Sequence, residues 1–207
     1  LENSDVRGLI FKTGNTVIDA LMLMVKNNRE IEIDGINWET QKVILATVHR
    51  RENWGENLVN IAEGFKSIAD DNLDTILIIP LHRNAIVREP LKKILGDHPR
   101  IKLIEPLNYA DLIETLKRCY LVLTDSGGIQ EEATASSIKK KVIVVRKTTD
   151  RPEAVLGGFS EIVGTNYNNI LKSLKKTAKN PSIIKKKSPY GDGNSAKKII
   201  QHLKNNL

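Results

Sequence analysis

Leu123-Thr124-Asp125-Ser126-Gly127-Gly128-Ile129-Gln130-Glu131-Glu132 is the stretch on which the reading of this chain turns. The run from Tyr120 to Thr124 is apolar enough for a buried strand. It stops at Asp-Ser-Gly-Gly, and the pattern then becomes helical. Glycines at a strand-to-helix junction let backbone N–H groups approach an anion closely. The helix that follows adds the positive end of its dipole. Glu131 and Glu132, a turn further on, are placed to reach the hydroxyls of a ribose. Strand, Gly-Gly, helix and acid together describe a nucleoside-diphosphate seat. A plainer reading stands beside it: a tight loop whose glycines only permit packing, and acids that complement the helix dipole.

Outward from this stretch, strands and helices alternate from residue 42 onward. Val43 to Val48, Thr75 to Pro80, Ile101 to Ile104 and Val142 to Arg146 read as further strands, with a short sixth at Glu161 to Gly164. Between them, Leu58, Ile61, Ala62, Phe65, Ile68 and Ala69 keep helical spacing. Ile86 to Leu95 is a helix ended by Gly96, and Tyr109 to Arg118 is another. The last helices run from about Asn168 to Lys179 and from Ser195 to Leu203. Near-continuous apolar strands between amphipathic helices define an α/β fold with a doubly wound parallel sheet, Rossmann-like in kind. Residues 1–41 differ: Thr13 to Thr16 is a turn with a helix cap, Val17 to Val25 an apolar helix in need of cover from elsewhere, and Asn27 to Glu39 linker-like.

Ligands on such sheets bind beyond the carboxyl ends of the strands. That rule selects His49 to Asn53, Leu81 to Asn84, Glu105 to Tyr109, Asp125 to Gly128 and Lys147 to Arg151. His49, Arg50 and Arg51 suit phosphate binding or proton transfer, unless Arg51 merely pairs with Glu52 at the surface. His82, Arg83 and Asn84 repeat the pattern, although Asn84 is also a good helix cap. Arg151 points to a phosphate or a carboxylate, ahead of Pro152 and Glu153 at a helix start. His98 and His202 read as surface residues without a role.

Composition narrows the rest. The chain has 207 residues, room for one well-buried domain and an appendage. Its net charge of +7 invites a nucleic-acid reading, but the lysines sit in short clusters at 139–141, 172–176 and 185–187, and aromatics make up only 4%. The clusters read as solvated helix faces, with no nucleic-acid partner expected. No stretch has membrane-spanning length or the pattern of a signal peptide, and the lone Cys119 fits a reducing, cytoplasmic setting. The first residue is Leu1, as expected of a fragment or a trimmed chain. No metal-ligand spacing, G-x-G-x-x-G, P-loop or G-x-S-x-G elbow is found, so neither a metal nor a cofactor is expected.

The assembled motifs resemble the non-hydrolysing UDP-N-acetylglucosamine 2-epimerases. The matching segments are Thr13-Gly14-Asn15-Thr16-Val17-Ile18-Asp19-Ala20, His49 to Asn53, Val87 to Pro90, Leu123 to Ala133, Thr148 to Ala154, and Pro189-Tyr190-Gly191-Asp192-Gly193. The resemblance implies the carboxyl-terminal half of a glycosyltransferase-B type fold, with 1–41 as interdomain helix and linker and 42–207 as the UDP-binding domain. It implies that Ser126, Gly127 and Gly128 hold the diphosphate and Glu132 the ribose. His49 would lie at the phosphates and reacting sugar, with Arg151 a further contact. The loop Pro106 to Leu112, through Leu107 and Leu112, would border the uracil. Arg50 and His82 would belong to a second, regulatory UDP-N-acetylglucosamine site. The implied reaction inverts C2 of the sugar by eliminating UDP and adding it back, without a redox cofactor. The acids and bases for C2 would lie on an amino-terminal domain missing here, in a cytoplasmic homodimer that feeds N-acetylmannosamine to envelope polysaccharides. The alternatives are a non-catalytic UDP-sugar-binding module and a fragment of a UDP-sugar glycosyltransferase. One departure is local: the family's compact Pro-Ser-Leu-Gly-Lys-Pro-like connection is replaced by the longer Thr134 to Lys141, without glycine or proline.

Overall fold

The computed structural model describes residues 8–26, 30–71, 73–179 and 186–206. Residues 27–29 of the expected linker and Lys185 of the third lysine cluster lie outside the described residues. The strands are β1 (Lys42–Thr47), β2 (Thr75–Pro80), β3 (Ile101–Ile104), β4 (Leu121–Thr124), β5 (Val142–Val144) and β6 (Ser160–Ile162). The helices are α1 (Thr16–Val25), α2 (Glu56–Asp71), α3 (Ala85–Leu95), α4 (Tyr109–Arg118), α5 (Gly127–Glu132), α6 (Pro152–Leu156), α7 (Tyr167–Lys179) and α8 (Ser195–Asn206). A 3-10 turn at Arg51–Asn53 follows β1.

The strands form one sheet in the order β3-β2-β1-β4-β5-β6, parallel at every pairing. The pleat sends alternate side chains to opposite faces. Ile44, Ala46, Leu121, Leu123 and Ile143 therefore join one core, with Leu58, Ile61 and Phe65 of α2, Leu91 of α3 and Ile170 of α7. Leu45, Val122, Val142 and Val144 join the other, with Ile113 and Leu116 of α4 and Ile18 and Leu21 of α1. Both faces are covered, which is why the strands read as unbroken apolar runs. β5 stops at Val144, short of the expected Arg146, because its partner β6 ends there: Ile162 pairs with Val144.

The cover for α1 comes from this chain. Ile18 and Leu21 are fully buried beside α4, α5 and α8. The junction also brings together motifs from opposite ends of the sequence. Asn15 caps α1 by accepting the Val17 N–H at 3.0 Å, and its own N–H donates to the Tyr190 carbonyl at 2.7 Å. Asp19 in turn accepts the Ser195 and Ala196 amides at the start of α8, at 3.0 and 2.7 Å. A side chain at Gly14, where φ is +97°, would stand 2.6 Å from Ser195 Oγ, so Thr-Gly-Asn-Thr and Pro-Tyr-Gly-Asp-Gly pack as one unit. His98 corrects the surface reading: its side chain is only 8% exposed and its Nε2 lies 2.9 Å from Asp70. His202 stacks on Phe11, ring centroids 4.0 Å apart.

The Thr134 to Lys141 connection closes by turns rather than by glycine. The Lys139 N–H donates to the Ala135 carbonyl at 2.9 Å, with Lys139 left-handed at φ +49°. This is the αL cap that glycine ordinarily supplies. A side chain in this region costs roughly 1–2 kcal/mol, partly offset by the stiffer unfolded chain. Lys139→Gly is expected to stabilise the fold by about 0.5–1 kcal/mol in urea unfolding. A loss of stability would show that the Lys139 side chain is used in the fold.

Candidate functional site at the sheet's carboxyl edge

The strand order reverses between β1 and β4, so the loops after these two strands face each other across a crevice. Asp125, directly after β4, is completely buried and holds the crevice together. Its carboxylate accepts the His49 N–H at 2.9 and 3.1 Å, the Arg50 N–H at 2.8 Å and Asn53 Nδ2 at 2.9 Å. His49 Nδ1 lies 3.1 Å from the same group. Burial alone would raise the Asp125 pKa, but the His49 ring and the two amides outweigh it and hold the carboxyl below its ordinary value. An ionised Asp125 needs a donor, so His49 carries a proton on Nδ1 and keeps Nε2 for a ligand. Asn53 also donates to the Val145 carbonyl at 3.2 Å, tying the loop to β5. Beneath the clamp, Thr47 Oγ1 and Thr124 Oγ1 are 2.6 Å apart.

The two glycines differ. Gly127 is buried, and a Cβ there would meet the Asp150 carboxylate at 3.1 and 3.2 Å and Arg50 Nη2 at 3.4 Å. Gly128 is exposed, and a Cβ there would meet nothing nearer than 3.9 Å. The first glycine thus serves packing, and the second leaves a helix-start amide open to an incoming group. Ser126 is the N-cap of α5, yet its side chain makes no cap bond, and its N–H is taken by Thr124 Oγ1 at 2.9 Å.

The two acids also part company. Glu131 pairs with Arg151 and accepts Asn15 Nδ2 at 2.8 Å, a structural ion pair between α5, the β5–α6 loop and α1. Glu132, 6% exposed, lies beside the Tyr109 hydroxyl. Burial pushes the Glu132 carboxyl up to about 7; the Tyr109 hydroxyl opposes this and the charge of Glu131 adds to it. Arg51 is exposed and does not take Glu52 as its partner: Glu52 bonds Arg146 Nε at 2.6 Å instead.

His49, His82, Leu107 and Leu112 line one cavity of about 430 Å³, floored by Thr47, Val48 and Ile129. A neighbouring cavity of about 510 Å³ shares His49 and His82 and adds Arg50 and Asn84. The two histidine rings stack with centroids 5.6 Å apart. Arg50 therefore spans from this second cavity to the Ser-Gly-Gly turn, while Arg151 is turned toward Glu131. Burial lifts the Cys119 thiol to about 12, which removes it as a nucleophile. Among the described residues no cluster of His, Cys, Asp or Glu is arranged to hold a metal, and no helix is long and apolar enough to cross a membrane. Asp125 is the functional residue that sequence reasoning did not single out. Its signal was an acid directly after a buried strand, inside a segment already chosen as site-forming.

Fold and crevice together define a Rossmann-like α/β domain of the glycosyltransferase-B kind, with polar groups gathered at its topological switch point. The profile of the UDP-N-acetylglucosamine 2-epimerase family matches residues 2–204, and the chain belongs to that family. Among curated relatives, the UDP-N-acetylglucosamine 2-epimerase of Campylobacter jejuni is 41% identical over 209 aligned positions, covering 94% of this chain and 54% of the relative. The Neisseria meningitidis UDP-GlcNAc 2-epimerase, solved bound to UDP-GlcNAc, is 38% identical with a TM-score of 0.86 over 94% of this chain and 55% of that one. The S. aureus MnaA–UDP co-structure gives 41% identity and a TM-score of 0.86, covering 93% and 53%. The chain spans about half the length of the relatives it matches.

Asp125→Asn sets an amide against the donors that now converge on a carboxylate, at a cost of roughly 3 kcal/mol at pH 7. The Asp125 pKa is depressed by folding, so its stabilisation is present above the unfolded carboxylate value and is lost as pH falls through the folded one. Urea unfolding is expected to show the wild type and Asp125→Asn converging below about pH 4. An equal gap at pH 7 and pH 3 would contradict the clamp.

Proposed function

We propose that this chain is the UDP-holding half of a UDP-N-acetylglucosamine 2-epimerase, the enzyme that interconverts UDP-N-acetylglucosamine and UDP-N-acetylmannosamine. The observation that carries the reading is the gathering of His49, Ser126, Gly127, Gly128 and Glu132 at one sheet edge, in a member of that family. Ser126 offers an idle hydroxyl and Gly128 an open amide to the diphosphate. Glu132 receives the ribose hydroxyls once Tyr109 gives way. Leu107 and Leu112 flank the uracil in the apolar cavity. His49, its Nδ1–H held by Asp125, turns Nε2 toward the departing diphosphate and the reacting sugar, where it can accept a proton. Arg151 adds a further positive group near the phosphates, and Arg50 with His82 forms the regulatory UDP-N-acetylglucosamine site.

The reaction removes the C2 proton and UDP to leave a C1=C2 glycal, then adds UDP back at C1 as a proton returns to the opposite face of C2. Bond making and breaking at C1 fall to the groups of this half. The proton at C2 falls to the other half, which the relatives' additional length supplies. Residues 1–41 act as the interdomain helix and linker and 42–207 as the nucleotide domain of a cytoplasmic homodimer serving polysaccharide synthesis.

Glu132→Ala and Ser126→Ala are each expected to weaken UDP binding by roughly 1.5–3 kcal/mol, the worth of a hydrogen bond to a charged group. Unchanged affinity in both variants rules out the assigned pocket. The pH dependence has a definite sign. The ribose donates to ionised Glu132, and in the free chain this carboxyl protonates below about 7. Affinity for UDP-N-acetylglucosamine, whose phosphates do not titrate there, is expected to fall about tenfold from pH 8 to pH 6, the slope of one proton per site. In Glu132→Gln that fall disappears.

A further inference from the structure

Beside the Ser126-Gly127-Gly128 turn, a group of arginines surrounds one carboxylate. Asp150 Oδ1 accepts Arg146 Nη1 at 2.8 Å, and its Oδ2 lies 3.3 Å from Arg151 Nη1 and 3.5 Å from Arg50 Nη2. The Asp150 carboxylate and the Arg50 guanidinium both lie within contact distance of the place a Cβ on Gly127 would take.

The charges in this group cancel. Arg50, Arg146 and Arg151 carry three positive charges; Asp150, Glu52 on Arg146 and Glu131 on Arg151 carry three negative ones. A neutral group offers an anionic diphosphate little net Coulomb attraction, and a carboxylate that leaves when the ligand arrives uncovers positive charge for it. The three carboxylates are not equally free to do so. The Glu131 side chain is 9% exposed and held by the Asn15 amide. Glu52 is exposed but touches only Arg146 of the three arginines. Asp150 is 42% exposed, sits on the loop between β5 and α6, and touches all three. Arg50 has a buried Nε without a hydrogen-bond partner among the described residues, unused capacity for a larger acceptor.

We propose that Asp150 is a built-in stand-in for the ligand's diphosphate, filling the arginine group in the free chain and swinging out when a nucleoside diphosphate enters. This rests on the Ser-Gly-Gly turn being the diphosphate seat. The exchange keeps the arginines ordered and compensated without ligand. It also sets a threshold: two phosphates can replace the carboxylate, whereas a nucleoside without phosphate leaves it in place.

The test is UDP and uridine affinity, by calorimetry and by NMR titration, in the wild type, Asp150→Asn and Asp150→Ser. Removing the carboxylate that competes with the diphosphate for the arginines is expected to tighten UDP binding about tenfold in both variants. Uridine affinity is expected to stay unchanged. UDP affinity that is equal or weaker in both variants overturns the proposal and leaves Asp150 as a residue that only orders arginines. Failure of the underlying reading looks different: UDP affinity then stays at the wild-type value in Glu132→Ala and Ser126→Ala, whatever Asp150 does.

Discussion

The site depends on one buried carboxylate that joins two loops which sequence separates and topology brings together. Asp125 ends β4 and takes its donors from the segment after β1, some seventy residues earlier. Parallel strands cannot share a hairpin, so nothing local fixes the loops at their ends relative to one another. Asp125 supplies that constraint. It orients the His49 ring, sets its tautomer, and anchors Asn53, which reaches on to β5. Three strands are thereby locked together at the sheet's carboxyl edge. The cost is a charge out of water, compensated because every donor around it is aimed at it.

Around that clamp the site trades stability for readiness. Glu132 is buried where its ionised form is disfavoured, with Glu131 beside it. Tyr109 gives partial relief, and a ligand's hydroxyls would give more. Ser126 occupies a cap position without capping, although serine is well suited to it. The arginines beside Gly127 are compensated charge for charge. Groups left half-satisfied in a crevice are candidates for a binding role.

The sheet was legible because a parallel strand covered on both faces must be apolar along its whole length, and Val43 to Val48, Thr75 to Pro80 and Tyr120 to Thr124 are. The site was legible in outline because the carboxyl-edge rule picks segments without knowing strand order. What escaped reading depends on distance in sequence. Nothing near Asp125 announces donors from 49 to 53. Nothing in Thr-Gly-Asn-Thr announces that Gly14 packs on Ser195, or that Asp19 caps α8. The apolar helix α1 read as needing outside cover because the residues that cover Ile18 and Leu21 come from α4, α5 and α8. The division of labour between Gly127 and Gly128, and between Glu131 and Glu132, turns on one residue of helical rotation, which a motif does not resolve.

The claim on which the rest stands is that this chain carries its own nucleotide seat, built on the Asp125 clamp. A calorimetric titration of UDP into the 207-residue chain, with ADP as control, tests it most directly. Saturable one-to-one binding of UDP and none of ADP is expected, since the chain belongs to a family whose substrate is a UDP-sugar. Equal binding of both nucleotides, or of neither, would contradict it.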